Sequence, residues 1–180
     1  MNFKKLVFDG IKSRAGVGSN ISTIIQWVLR FLQFVFGIAV IGLYAQDLVK
    51  QRKAGDPYDP KWMYATALGT IASISAAIYF AIPFIPSPIP ILPRINLPTL
   101  VYDSILSILW LTLFGIFGKI YITQEAKEDD KNLIRMKHAV WVDLANLALW
   151  TVTAAWAGMR WWRSGKGKRE AEKESDMSEV

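Results

Sequence analysis

The hydrophobic residues of this chain are concentrated in four long blocks that are separated by shorter polar stretches. The blocks cover approximately residues 24–44, 62–84, 100–120 and 139–161. About 20 predominantly apolar residues are enough to cross the hydrocarbon core of a bilayer as an α-helix. A soluble domain would instead distribute its apolar residues with an amphipathic period. The pattern therefore predicts an all-α fold, a bundle of four transmembrane helices.

The segments around these blocks complete the predicted organisation. Residues 1–20 are basic, and their apolar positions suit either a short amphipathic helix on the membrane surface or a mobile tail. Residues 21–162 form the predicted four-span domain. Six prolines between residues 83 and 98 predict a stiff extended connection after the second helix. Residues 163–180 are rich in Lys and Glu and poor in apolar side chains, which predicts a disordered tail.

The composition supports a membrane protein and removes several classes of site. Of 180 residues, 52% are hydrophobic, and the net charge of +6 is carried by the ends and by the predicted polar loops, residues 46–61 and 123–137. Cysteine is absent, so disulfides and thiolate metal sites are excluded. The sequence contains no Walker lysine motif, no HExxH and no GxSxG. We therefore expect no catalytic residues, no metal ion and no cofactor, and a protein that is not an enzyme.

An even number of spans places both termini on the same side of the membrane. That side would carry 11 lysines and arginines in its tails, loop and adjoining helix ends, against 9 on the opposite side. Cytoplasmic segments carry the excess of basic residues, and the first helix usually sets the orientation. We therefore expect both termini to be cytoplasmic.

Polar side chains inside the predicted spans are candidates for functional positions, because hydrocarbon cannot solvate them. Arg30 and Gln33 share one face of the first helix, and Asp143 and Asn146 share one face of the fourth. With span centres at mid-block and the helical rise per residue, Arg30 and Asp103 differ by ~4 Å in depth. These two residues are therefore predicted to pair.

The same arithmetic separates Asp143 from Arg30 by ~16 Å along the membrane normal, which is too far for a direct contact. Lys119 or Tyr121 of the third helix, or Tyr64 of the second, lies at a better depth. We expect one of these side chains to contact Asp143.

Two further patterns predict contacts with other helices and with lipid. Small residues recur at every fourth position of the second helix, which predicts a close helix–helix seam. This seam comprises Ala65, Gly69, Ser73, Ala77 and Ala81. At the end of the fourth span, interfacial aromatic residues are combined with basic ones. Such clusters attract anionic lipid by ~1 kcal/mol per basic residue near the surface. This cluster comprises Arg160, Trp161, Trp162, Arg163, Lys166, Lys168 and Arg169.

The first span contains the run RFLQ at Arg30 and continues apolar through residues 34–44. The last span contains the run WVDL at Trp141, followed by Asn146 and Trp150. Together these features resemble the MARVEL-domain tetraspan proteins, particularly the fungal ones, over residues 21–162. The resemblance implies an M-shaped four-helix bundle without catalysis. It also implies a role in organising membrane domains, in membrane apposition or in vesicle trafficking.

The expected location is the plasma membrane or secretory and endosomal vesicles. The expected partners are membrane lipids, either anionic or of the sterol and sphingolipid classes, together with other membrane proteins and further copies of the chain, but not nucleic acid. An alternative from another functional class stays open. Arg30, Asp103 and Asp143 could line the path of a small ion- or proton-coupled transporter or channel, because intramembrane ionisable residues often serve transport.

Overall fold

The computed structural model describes the backbone of residues 3–82, 96–124 and 131–178. Within these ranges the chain forms four α-helices and no β-strand. The helices are α1 (Phe3–Ala54, 52 residues), α2 (Pro60–Ala81, 22 residues), α3 (Asn96–Tyr121, 26 residues) and α4 (Lys131–Ser178, 48 residues). Each contains a stretch long and apolar enough to cross a membrane. The predicted all-α fold with four transmembrane helices is confirmed.

The turn between α1 and α2 is encoded by its local sequence. Gly55 adopts φ 75°, a left-handed conformation that glycine reaches without a steric penalty. The amide of Gly55 donates to the Arg52 carbonyl and that of Asp56 to the Gln51 carbonyl, which terminates α1 in a Schellman motif. Asp59 then caps α2, because its side chain accepts a hydrogen bond of 2.9 Å from the Lys61 amide. The predicted loop 46–61 is therefore too long, since α1 continues to Ala54.

The proline-rich connection also needs a correction at both of its ends. The prediction carried the second helix to Phe84, but α2 ends at Ala81 with Ile82 as its C-cap. Pro83 lacks the N–H group that would extend the helical hydrogen bonds. At the other end, Pro98 lies in the first turn of α3, where backbone N–H groups need no intrahelical partner. Residues 83–95 of the predicted connection lie outside the described residues.

Both terminal helices are longer than predicted. α1 begins at Phe3, so the segment 1–20 that was expected as a separate tail or surface helix is continuous with the first span from that residue. α4 continues to Ser178, so the prediction of a disordered tail over residues 163–180 is wrong as far as Ser178. Low hydrophobicity indicates that a segment cannot build a core, but Lys, Glu, Arg and Ala are good helix formers. A helix already formed in the membrane is extended without a new nucleation step.

α4 also begins earlier than the predicted residue 139. Its first residue is Lys131, so the part of the expected loop 123–137 that follows residue 130 is helical. Residues 125–130 lie outside the described residues. The early start places Arg135 on α4.

The helices pack as two hairpins, α1–α2 and α3–α4, which contact each other mainly through α1 and α4. α1 packs along α2, α3 packs along α4, and α1 contacts α4, whereas α2 and α3 meet at few points. The core contains fully buried aromatic side chains from three helices, Tyr44, Trp110, Phe117 and Trp150. Isoleucines such as Ile74 and Ile108 are more than half exposed on the outer surface, where they suit contact with lipid tails.

Small residues bring α1 and α2 into close contact. Gly37 of α1 lies against Gly69 and Ser73 of α2. Ala65, Gly69 and Ser73 are buried, but Ala77 is only partly buried and Ala81 is exposed. A four-residue step overshoots one helical turn by about 40°, so a straight row rotates off the contact face. The buried face of α2 therefore moves from this row to Ala72 and Ala76.

We predict that Gly69→Ala destabilises the bundle, whereas Gly115→Ala does not. A Cβ at Gly69 would lie 3.1 Å from the Ile41 Cγ1 atom and 3.2 Å from the Gly37 carbonyl oxygen. Forcing a methyl group into a packed contact costs about 1–3 kcal/mol. Gly115 is an exposed helical glycine, and a Cβ placed there would meet no described atom within 4 Å. Alanine at that position should therefore be neutral or stabilising by about 0.5–1 kcal/mol.

Thermal unfolding of the purified variants in one detergent measures the difference. Equal midpoints for Gly69→Ala and Gly115→Ala would show that the α1–α2 contact tolerates a methyl group.

Candidate functional site

A charged pair joins α1 to α3 inside the bundle. The Arg30 guanidinium donates hydrogen bonds of 2.6 and 3.3 Å to the two carboxylate oxygens of Asp103. The Asp103 side chain is 0% exposed and that of Arg30 is 11% exposed. A bidentate arginine–carboxylate pair is both the strongest and the most directional ion pair available to side chains. The structure thus brings together the two residues that were predicted to pair because they lie at similar depths in the membrane.

Aromatic rings enclose the other faces of the Arg30 guanidinium. Its Cζ atom lies 4.3 Å from the ring centroid of Tyr79 and 5.2 Å from that of Trp150. Ring faces stabilise a cation electrostatically, and they do so more strongly where water is excluded. Sequence reasoning missed both rings, since aromatic residues in a span are expected at the core or at the membrane interface and carry no signal for a cation contact.

Gln33 extends this network to α4. Its side-chain oxygen accepts a hydrogen bond of 3.0 Å from Arg30, and its Nε2 atom donates one of 3.1 Å to the Thr153 hydroxyl. Thr153 in turn donates to the Trp150 carbonyl at 3.0 Å. Gln33 is fully buried, so both ends of its amide have partners where water cannot supply them. Three helices are therefore joined by polar contacts at one level of the bundle.

Asp143 has a different partner from those that were predicted. The Tyr44 hydroxyl of α1 donates a hydrogen bond of 2.5 Å to the Asp143 Oδ2 atom, and both side chains are fully buried. The expectation of Lys119, Tyr121 or Tyr64 is therefore corrected. Tyr64 donates instead to the Leu109 carbonyl, and Lys119 is exposed on α3.

The signal for Tyr44 was present in the sequence. Tyr44 lies ~21 Å beyond Arg30 along α1, which is close to the ~16 Å that separates Asp143 from Arg30 in depth. Tyr44 ends the apolar stretch 34–44, so it was treated as an apolar residue and its hydroxyl group was not considered as a partner. In the structure its ring packs against Trp62 and Phe117, with centroid distances of 5.6 and 4.7 Å. These rings keep the Tyr44–Asp143 contact away from lipid.

Asn146 lies on the same face of α4 as Asp143, as predicted, but the two do not share the Tyr44 contact. The Asn146 Nδ2 atom donates to the Val142 carbonyl of the preceding turn at 3.2 Å. Its Oδ1 atom is buried and has no hydrogen-bond partner among the described residues.

A second ion pair lies at the end of the bundle that carries the α1–α2 turn. Arg135 donates to both carboxylate oxygens of Asp47, at 2.7 and 2.9 Å, and to the Leu43 carbonyl at 2.7 Å. Lys50 and Asn132 add a contact of 3.2 Å nearby. Sequence reasoning missed this pair because both charges were assigned to loops. Only the longer α1 and the earlier start of α4 place them on facing helices.

These contacts define a polar seam between the facing sides of α1 and α4. The residues of each helix recur with spacings near whole helical turns, which places them on one face. The seam consists of Gln26, Arg30, Gln33, Tyr44 and Asp47 of α1 with Arg135, Asp143, Asn146, Thr153 and Arg160 of α4. Across the described residues, no group of three or more His, Cys, Asp or Glu side chains is arranged to hold a metal ion.

The basic and aromatic cluster at the end of the fourth span faces outward. Trp161 and Trp162 are 50% and 62% exposed, and the Lys166 ammonium lies 4.8 Å from the centroid of the Trp162 ring. Arg160 connects the cluster to the seam, because it donates to the Gln26 side-chain oxygen at 3.3 Å. The side chains of Lys168 and Arg169 lie outside the described residues. The described part of the cluster is thus a charged surface next to an apolar span.

We predict that Arg30 and Asp103 are energetically coupled. Asp103→Leu leaves a guanidinium without its counter-charge, and breaking a buried ion pair from one side costs about 3–5 kcal/mol. The double variant Arg30→Met/Asp103→Leu should lose clearly less free energy of unfolding than the sum of the losses in the single variants Arg30→Met and Asp103→Leu. Unfolding by denaturant in a fixed detergent provides the three free energies.

Asp56→Asn is the matched control for removing a carboxylate, because Asp56 is exposed in the α1–α2 turn. Its effect should stay within about 0.5 kcal/mol. Additive losses in the double variant would contradict the coupling.

Comparison with known proteins identifies the family of this chain. Among curated proteins, no significant match to the sequence is found. The family model for MARVEL, described as a membrane-associating domain, matches residues 23–159. The matched range contains the Arg30–Asp103 pair, the Tyr44–Asp143 contact and Asn146, and it covers most of the chain. The chain therefore belongs to the MARVEL family of membrane-associating domains.

Proposed function

We propose that this integral, multi-pass membrane protein acts without catalysis, by organising lipids and membrane proteins around a stable bundle. One observation carries the proposal: the charged groups of the polar seam are held in contacts between helices, while basic and aromatic side chains remain exposed at one end. Arg30 and Asp47 both contact partners on other helices. The exposed cluster comprises Trp161, Trp162, Arg163 and Lys166.

The chemistry of this cluster favours anionic lipid as its partner. Indole rings prefer the headgroup level of a membrane, and basic residues beside a span are attracted to anionic phospholipid. The positive-inside rule favours the termini, and with them the cluster, at the cytoplasmic leaflet, which is the anionic one. This supports a location in the plasma membrane or in secretory and endosomal vesicles. Local enrichment of such lipid would serve membrane-domain organisation, apposition or trafficking.

We predict that anionic lipid is enriched beside the cluster and not at the opposite end of the bundle. The chain has no cysteine, so Ser164→Cys and Ala54→Cys each provide a single position for a fluorescent donor. Energy transfer to trace acceptor-labelled phosphatidylserine or phosphatidylcholine is measured in reconstituted vesicles. Transfer from residue 164 should favour phosphatidylserine, and transfer from residue 54 should show a weaker preference or none.

Charge removal then separates the cluster from general electrostatics. Arg163→Gln/Lys166→Gln removes two basic groups and should weaken the local preference by ~2 kcal/mol, or up to ~30-fold. Arg52→Gln/Lys53→Gln removes two exposed basic groups at the other end and should leave the preference at residue 164 unchanged. Transfer at residue 164 that is insensitive to the first double variant would overturn the proposal.

A second candidate function, a small ion- or proton-coupled transporter, is favoured by the length of the polar seam. Gln26 and Asp47 lie ~32 Å apart along α1, close to the thickness of a bilayer's hydrocarbon core. Between Gln33 and Tyr44, however, α1 presents Gly37 and Val40 to its neighbours, and Val40 is fully buried. The polar groups of α1 are thus interrupted in mid-bundle by residues that cannot solvate an ion.

We therefore expect no proton or cation flux above that of protein-free vesicles when the chain is reconstituted. A pH-sensitive dye and a cation-sensitive dye trapped in the vesicles report the two fluxes. Flux in the wild type that disappears on Asp143→Asn would replace the organising role by transport. The same flux in both proteins would indicate leaky reconstitution and would be resolved by vesicles containing an unrelated four-span protein.

A further inference from the structure

The two ends of the polar seam differ in how their outermost arginine is paired. At one end, Arg135 makes a bidentate ion pair with Asp47. At the other end, the Arg160 Nη1 atom donates to the side-chain oxygen of the neutral Gln26 at 3.3 Å. Among the described residues, no carboxylate forms an ion pair with Arg160. The charge of Arg160 is therefore left without a counter-charge in the described part of the bundle.

The buried carboxylate of α3 is already occupied by another arginine. Both carboxylate oxygens of Asp103 accept hydrogen bonds from Arg30, which lies one helical turn from Gln26 on α1. Asp103 is also fully buried, so it offers no acceptor to a group at the surface of the bundle. An anionic partner for Arg160 therefore has to come from outside the described residues.

The contact with Gln26 holds the Arg160 guanidinium in place without neutralising it. A guanidinium carries five N–H donors in a rigid planar fork. Gln26 supplies an amide oxygen from the facing helix, and the Arg160 side chain is otherwise exposed. Binding costs less when the side chain that makes the contact is already ordered. Arg160 is thus a pre-positioned cation with donors accessible from the membrane.

This cation lies at the level of the lipid phosphate groups. The seam extends ~32 Å along α1 from Gln26 to Asp47, close to the thickness of the hydrocarbon core, so its two ends fall near the two membrane surfaces. Trp161 and Trp162 follow Arg160 directly and are exposed, and indole rings prefer the headgroup level. Phosphate is the anionic group that every phospholipid presents there.

Apolar side chains on the membrane side of Arg160 favour a lipid over a soluble anion. Val152 and Met159 of α4 and Val28 of α1 are each about half exposed. The acyl chains of a lipid whose phosphate contacts Arg160 can pack against these side chains. A free phosphate ion would gain nothing from this surface.

We propose that Arg160 and Gln26 form a binding site for the phosphodiester group of one phospholipid. The Arg160 fork donates to two phosphate oxygens, a geometry for which guanidinium is well suited. Gln26 is a positioning residue that orients the fork. The site accepts zwitterionic as well as anionic phospholipids, because both carry the phosphodiester. The inference rests on the proposed function, to which it adds one oriented lipid beside a cluster that selects by net charge.

The test is native mass spectrometry of the full chain, released from detergent and titrated with phosphatidylcholine. This lipid has no net charge, so the charge preference of the outer cluster contributes little to its binding. The wild type should bind it more tightly than a galactosyl diacylglycerol with the same acyl chains, which lacks phosphate. Soluble glycerophosphocholine at the same concentration should not displace it.

Variants with and without a change of net charge then locate the site. Arg160→Gln should weaken the first phosphatidylcholine-binding step by about tenfold or more, because hydrogen bonds to charged groups are the strong ones. Arg160→Lys loses the planar fork and Gln26→Leu loses the positioning amide, and each should weaken the step by about threefold or more. Arg163→Gln and Gln46→Leu make matched changes at exposed positions and should leave it unchanged.

Equal weakening in Arg163→Gln and Arg160→Gln would overturn the proposal, because net charge alone would then explain the binding. Galactolipid binding as tight as that of phosphatidylcholine, or displacement by glycerophosphocholine, would also overturn it. If Gln26→Leu does not fold, Arg160→Lys and the lipid comparison still decide. If the site fails while transfer at residue 164 still favours phosphatidylserine, the proposed function stands without it.

Discussion

A guanidinium group inside a membrane must find its counter-charge within the protein, and in this chain Arg30 finds it in Asp103 of another helix. The bidentate contact, the Gln33 amide and the two aromatic rings together replace the hydration shell that the cation would have in water. Each of these groups comes from a fixed depth on its helix. The pair therefore sets both the distance and the vertical register of α1 and α3, although these helices lie in different hairpins.

The remaining polar contacts repeat this arrangement along α1. Tyr44 contacts Asp143 near the other end of the membrane-spanning part, and Asp47 meets Arg135 just beyond it. In lipid, apolar side chains gain little by meeting each other, so polar bonds and close small-residue packing must specify which helices associate. α1 uses both means: glycine against α2, and hydrogen bonds against α3 and α4. α1 thus makes specific contacts with each of the other three helices.

The division of charge has a functional consequence. Charged side chains within the bundle are held in contacts with other helices, and those of the cluster at Trp161 and Trp162 are directed outward. A membrane-associating protein of this kind can present one chemistry to its own helices and another to the lipid. The interior needs exact partners in a medium without water, whereas the outer cluster needs only the right sign of charge and amphipathic rings.

The sequence by itself determined the number and approximate position of the helices, because hydrophobic length alone decides what can cross a bilayer. It also indicated the pairing of Arg30 with Asp103, since two opposite charges at similar depth in the hydrocarbon have few other partners within reach. It did not determine the helix ends, where Lys- and Glu-rich segments read as disordered continue as helix. Tertiary structure decided which of the residues at a suitable depth contacts Asp143. It alone decided the Asp47–Arg135 pair and the rotation of the small-residue row on α2. Depth along one axis can be counted from residues, but which faces meet depends on the rotation of each helix and on its neighbours.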